Sequence, residues 1–184
     1  MSRPLLFLNR DTAAAIVARF GGENPCGSGT SYATVRDFCE SADELPKITL
    51  VEGDLKYVQR PWAVKTILRH LPPPARLLEI GGGEPIVSGF LSELGYDVTL
   101  VDPYEPSNHQ SGDYERYVRL FPHVKIIREY FQSGLSGIEP GSFDVIFSVS
   151  VLEHLPPDSL ASSFDAIAEF PGSGQTALQI KRHH

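Results

Sequence analysis

"LLEIGGGEP", residues 77–85, joins an apolar run carrying one carboxylate to three consecutive glycines and then a proline. A turn needs one glycine. Three in a row mark a bend where something must approach the main chain closely, since a residue without Cβ also permits positive φ. Strands and helices alternate around this bend. Residues 76–80 read as a strand, 85–94 as a helix, Gly95 as a turn, and 98–101 as a second strand ending in Asp102. "VKII", 124–127, is a third strand. "FDVIFSVS", 143–150, is a fourth, apolar almost throughout, as a strand covered on both faces must be. Residues 159–170 read as a helix and "QTALQI", 175–180, as a fifth strand. Connections too long for hairpins imply parallel pairing through right-handed crossovers. The expected fold class is α/β, a doubly wound, mainly parallel sheet over residues 57–180.

Residues 1–56 read as a helical N-terminal extension and 181–184 as a tail. Within the extension, residues 11–20 form a helix with Asp11 as the N-cap candidate, stopped by Gly21 and Gly22. After the loop "ENPCGSG", Tyr32, Val35, Phe38, Cys39 and Ala42 recur at helical spacing within 31–45, and "KITLV", 47–51, reads as a short strand. Pro61 is expected as the first residue of the helix entering the sheet, because its missing N–H costs nothing there. Trp62, Ile67, Leu68 and Leu71 give that helix a buried side, and the prolines at 72–74 end it.

The formal net charge of −7 argues against a broad nucleic-acid or anionic-membrane surface, because phosphate contacts draw on an excess of Lys and Arg. Two cysteines, Cys26 and Cys39, suit neither a disulfide framework nor a zinc site. No segment approaches the roughly 20 apolar residues of a membrane span, and the apolar run near the N-terminus is too short for a signal peptide. The expectation is a soluble, cytoplasmic protein with no membrane, nucleic-acid or metal partner.

In a doubly wound sheet, ligands sit beyond the carboxyl ends of the strands. Gly81, Gly82 and Gly83 fall there, and Asp102 ends the next strand, where a carboxylate can accept hydrogen bonds from both hydroxyls of a ribose. Together they read as a nucleoside-cofactor site; apart, they would be a tight turn and a solvated strand end. A nicotinamide-binding turn needs a further glycine where this chain has Ile86, and Glu84 would set negative charge against a pyrophosphate. A cationic ligand suits this bend better.

With these motifs the chain resembles the class I S-adenosylmethionine-dependent methyltransferases. "EIGGGEP" matches their first motif, an acid followed by x-G-x-G, with Pro85 where a third glycine is common. "VTLVDPY" is similar to their second motif, and "FDVIFSVSVLEHL" resembles the fourth strand and following segment of members that act mainly on small molecules. "PGSGQTALQI" is similar to the turn into their fifth strand. The resemblance spans roughly residues 57–180, with the motifs in order.

The resemblance implies a Rossmann-like fold, S-adenosylmethionine as cofactor with S-adenosylhomocysteine as product, and a set of roles. Glu79 would organise the glycine turn and the methionine end of the cofactor, with Gly81, Gly82 and Gly83 passing beneath it. Asp102 would hold the ribose, with Pro103 and Tyr104 beside the adenine. Ser148 and Val149 would offer backbone groups to the amino acid moiety. The family's adenine-contacting acid has no counterpart in "REYFQSG", where Tyr130 or Phe131 would pack on the base or simply join the core. Arg60 would pair with the cofactor carboxylate or remain a surface arginine. His154 would serve as a base for a hydroxyl acceptor or help form the cofactor pocket.

No Asn/Asp-Pro-Pro-aromatic run follows the fourth strand, which with the acidic charge points to a small-molecule acceptor rather than nucleic acid. The tyrosine-rich stretch "DPYEPSNHQSGDYERYVRL", 102–120, reads as part of an acceptor pocket or as a solvated cover. The family's C-terminal strand hairpin is not recognisable after Ile180. The fifth strand is therefore expected as an exposed edge through which a homo-oligomer could form. Two other functions fit the same residues: a non-catalytic cofactor-binding or scaffold protein on this fold, and a nicotinamide-dependent oxidoreductase.

Overall fold

The computed structural model describes residues 8–21, 56–105 and 114–180, with the single positions 39, 43, 45 and 48. The strand expected at 76–80 forms β1 (Arg76–Ile80), four of its five residues being buried. Its neighbours are β2 (Asp97–Val101), β3 (Val124–Ile127), β4 (Phe143–Val149) and β5 (Pro171–Ile180). All pairings are parallel, in the order β3–β2–β1–β4–β5. Leu77 faces Val98 on one side and Val145 on the other, so the two central strand pairs bury apolar side chains at the same level.

Successive residues of a strand point to opposite faces, and the core divides accordingly. Leu77, Val98, Val145 and Phe147 belong to a cluster with residues of α1 (Arg10–Phe20), α2 (Lys56–His70) and α3 (Ile86–Glu93). Leu78, Ile80, Val101 and Ile146 join Ala166 and Phe170, at the end of α5 (Pro157–Glu169), in a second cluster. Helices on both faces make this the doubly wound sheet expected. A smaller cluster under β2 and β3 gathers Leu100, Tyr104, Tyr117 and Val124, with α4 (Tyr114–Leu120) supplying Tyr117.

Three local expectations are corrected. The cap of α1 is Asn9, whose Oδ1 accepts from the N–H of Thr12 at 2.8 Å; Asp11 lies within the first turn. Both are good capping residues, and the helix starts one step earlier than the apolar pattern shows. Pro61 is not the first residue of α2 but lies inside it, after Lys56. One proline this early forfeits a single intrahelical bond, and burial of Ala63, Val64, Ile67 and Leu68 holds the helix together. Finally, α5 starts at Pro157, two residues before the expected position, with a proline in its first turn.

The helix expected at 31–45 and the strand at 47–51 lie outside the described residues, apart from single positions; of these, Leu45 and Ile48 are buried. Of the tyrosine-rich stretch, residues 106–113 lie outside the described residues as well. β5 is the outer strand on the β4 side, as expected. Among the described residues no helix is long and apolar enough to cross a membrane.

One close approach went unread in the sequence. A Cβ on Gly89, in the middle of α3, would overlap the ring of Phe121 just beyond α4. A glycine inside a helix normally costs up to about 1 kcal/mol relative to alanine, and here that cost lets α3 sit against the aromatic ring.

Candidate active site

The strand order reverses direction between β1 and β4, so the loops that follow these strands diverge and leave a crevice. An open cleft of about 1190 Å³ lies there. Its walls come from the loop after every one of the first four strands: Gly81–Glu84, Asp102–Pro103, Tyr130–Gln132 and Ser150–Val151. His154 and the first turns of α5 add to these walls, with Arg60 of α2, Val87 of α3 and the ends of β1, β2 and β4.

The glycine bend owes much of its composition to the protein itself. Gly81 and Gly83 have φ of +70° and +52°, left-handed values that favour glycine. A Cβ on Gly81 would also collide with Val151, and one on Gly82 with Leu100. Gly81 is thus required by its backbone and by Val151 whatever the cleft holds, and Gly82 is crowded by the Leu100 side chain. Gly81→Ala adds left-handed strain to overpacking, and a loss of about 2 kcal/mol of folding stability is expected in urea denaturation.

Glu79 lies directly beneath the bend and is 3% exposed. Its Oε2 accepts a hydrogen bond from the Ser88 hydroxyl on α3. Burial pushes its carboxyl up to about 7, against the opposing pull of the Ser88 hydrogen bond and the Arg60 guanidinium and with a further push from Asp102. The carboxyl is therefore poised between its neutral and charged forms at neutral pH.

Asp102 closes a bracket around the bend. One carboxylate oxygen accepts from the N–H of Gly83 at 3.0 Å, the other from the N–H of Tyr104 at 2.8 Å. The Tyr104 hydroxyl donates back to the Gly83 carbonyl at 2.7 Å. Tyr104 itself has φ of +47°, an uncommon value for a bulky residue, and it is 2% exposed. Its ring lies against Tyr114 and Tyr117, at 5.6 and 6.0 Å between centroids.

On the opposite side, α2 presents two neighbouring side chains. Arg60 pairs with Glu84 at 3.5 Å, and the Gln59 amide donates to the Ser150 hydroxyl at 2.7 Å. Ser150 follows β4 with φ of +54°, a strained conformation of the kind that clusters at ligand sites.

A family model described as a methyltransferase domain matches residues 55–176. The chain belongs to the class I S-adenosylmethionine-dependent methyltransferases. This methyltransferase chain is similar to the ubiquinone biosynthesis O-methyltransferase of Xanthomonas campestris pv. campestris, with 32% identity over 91 residues. The match takes in 48% of this chain and 36% of that relative, so the chain spans about a third of the relative's length. In fold it resembles a TehB-like SAM-dependent methyltransferase from Corynebacterium glutamicum, with a TM-score of 0.56, 19% identity, and coverage of 79% of this chain and 73% of that one. It also resembles the 1,6-didemethyltoxoflavin-N1-methyltransferase of Burkholderia thailandensis, with a TM-score of 0.53 and 20% identity over 84% of this chain and 66% of that one. Membership of this family displaces the nicotinamide reading of the bend.

Most residues that the methyltransferase motifs single out converge on the cleft. Arg60, Glu79, Gly81, Gly82, Gly83, Asp102, Pro103, Tyr130, Phe131, Val149 and His154 all line it. Tyr104 and Ser148 do not. Tyr104 was expected beside an adenine, but its left-handed backbone turns the ring inward onto α4. Ser148 is buried within the sheet, its hydroxyl donating to the Ile80 carbonyl at 3.2 Å, so its polar groups tie β4 to β1. Arg60 faces Glu84 rather than solvent. Tyr130 is 54% exposed and donates its hydroxyl to Glu105, whereas Phe131 is buried and packs on Phe170 at 5.8 Å.

Ser88, Gln59 and Ser150 were missed. Ser88 sits in the first turn of α3, where an isolated serine gives no signal; its distance in sequence from Glu79 hides a direct contact. The spacing of Gln59 and Ser150, 91 residues apart, is equally silent.

Proposed function

We propose that this chain binds S-adenosylmethionine in the cleft and transfers its methyl group to a small-molecule acceptor by in-line displacement. The observation that carries the reading is the charge of the lining: among the described residues, five carboxylates (Glu79, Glu84, Asp102, Glu105 and Asp158) surround a single guanidinium, Arg60. Such a cleft suits a cationic cofactor and repels a pyrophosphate.

The lining residues fit this cofactor. Asp102 spends two of roughly four lone-pair sites on backbone donors, which leaves acceptors for the two ribose hydroxyls. Glu79 supplies negative charge under the bend for the methionine end, and Arg60 is placed to receive the cofactor carboxylate. Pro103, Tyr130 and Phe131 form an apolar flank for the adenine, and Val149 offers its backbone at the end of β4. When bound, the cofactor supplies an electrophilic methyl on a sulfonium. What the protein contributes is position and exclusion of water, which in well-aligned reactions accounts for much of the rate. His154, an exposed imidazole among the lining residues, takes the proton from a hydroxyl acceptor.

A small molecule is favoured as acceptor by the net charge of −7 and by the absence of the nucleic-acid-type run after β4. The Xanthomonas relative, named for ubiquinone biosynthesis, adds support. Isothermal titration with S-adenosylhomocysteine and, separately, NAD tests the reading. Saturable binding of the first in the micromolar range is expected, with none of the second. Binding of NAD alone would reverse the assignment. Binding without methyl transfer to any acceptor tried would favour the non-catalytic alternative.

A further inference from the structure

We infer that Tyr104 is a positioning residue for the cofactor cleft: its hydroxyl holds the glycine bend and the Asp102 carboxylate in register without lining the cleft itself. The inference rests in part on the function proposed above.

Three hydrogen bonds make a closed circuit. Gly83 N–H and Tyr104 N–H each donate to one oxygen of Asp102, and the Tyr104 hydroxyl returns to the carbonyl of Gly83. The circuit joins the loop after β1 to the loop after β2, so the bend and the carboxylate are fixed relative to each other. Two of its residues, Gly83 and Tyr104, hold left-handed backbone conformations, which persist only when surrounding contacts over-determine them. For Tyr104 those contacts are visible. Its ring packs on Tyr114 and Tyr117, and the Arg128 guanidinium lies 5.4 Å from the centre of the Tyr114 ring and donates to the Tyr104 carbonyl at 3.4 Å. A buried tyrosine hydroxyl needs an acceptor, and Tyr104 takes its acceptor from Gly83, a residue that lines the cleft. The placement assigns the start of α4 a task as well: it is a buttress under the cofactor site.

The test pairs Tyr104→Phe with Tyr96→Phe. Tyr96 also donates its hydroxyl to a backbone carbonyl, that of Leu71 at 2.6 Å, and is similarly buried, but it does not line the cleft and contacts none of the bracket. Both variants lose one oxygen and one comparable bond, so similar losses of thermal stability are expected. Only Y104F should weaken S-adenosylhomocysteine binding, by about three- to tenfold, the loss expected for one net hydrogen bond. In the ligand-free chain, only Y104F should speed hydrogen exchange at the Gly83 and Tyr104 amides, by a similar factor of about three to ten. Equal affinity in Y104F and wild type, or equal exchange at those amides in Y104F and Y96F, overturns the inference. Should the wild-type chain bind no S-adenosylhomocysteine, the proposed function fails, and exchange alone decides whether the bracket does what is inferred.

Discussion

Asp102→Ala is expected to weaken binding of S-adenosylhomocysteine by about a hundredfold or more. Hydrogen bonds to a charged acceptor contribute about 1.5–3 kcal/mol each, and a ribose offers two hydroxyls to this carboxylate. The variant also releases the N–H groups of Gly83 and Tyr104 from their acceptor, so the bend that lies under the cofactor loses its anchor. Affinity should therefore fall more than stability does. Calorimetric titration of wild type and variant side by side measures the first, and a thermal melt of each measures the second. A dissociation constant within threefold of wild type would remove Asp102 from the ribose site.

Glu79→Gln is expected to have opposite effects on folding and on binding. In the folded chain burial raises the Glu79 carboxyl from an ordinary 4.5 to about 7, so the folded state holds its proton over a range where the unfolded state has lost it. The stability that this group contributes is fully present below about pH 4.5 and is lost as pH rises through 7. The shift corresponds to about 3 kcal/mol, since one pKa unit is about 1.4 kcal/mol. Glutamine is neutral at every pH and still offers an oxygen to the Ser88 hydroxyl. The ligand-free variant should thus match wild type near pH 4.5 and exceed it by up to about 3 kcal/mol at pH 8, measured by urea denaturation at the two pH values. The same substitution removes negative charge from beneath the bend and should weaken S-adenosylmethionine, which carries the sulfonium, more than S-adenosylhomocysteine, which does not. A variant whose stability follows pH just as wild type does would show that Glu79 is not the group responsible. The two effects together would place this residue among those that trade stability for binding.

The fold was legible wherever one rule governed a segment. β1, β2 and β4 are short apolar runs between turn residues, and helices cover them on both faces, so sequence and burial coincide; β3, at the edge of the sheet, keeps the apolar pattern but is only partly buried. Gly81–Gly83 and Asp102 were legible because each sits at a strand end, a position that the alternation of strands and helices specifies. What escaped was anything decided by backbone conformation or by a distant partner. Tyrosine gives no warning that it will adopt φ of +47°, so Tyr104 was expected to face a ligand when it faces the core. Gly89 looks like an ordinary helix weakener until Phe121 is seen against it. Pro61 carried a genuine start signal for a helix, but the packed face of α2 outweighed it, and the helix extends five residues further toward the N-terminus. In each case the local preference was real and a contact made elsewhere in the chain overrode it.

Gln59 and Arg60 are consecutive on α2, yet they grip opposite lips of the cleft, Ser150 after β4 and Glu84 after β1. Because both side chains stem from one helix, a displacement of α2 would strain the two contacts together, and the lips on either side of the cleft share a single support.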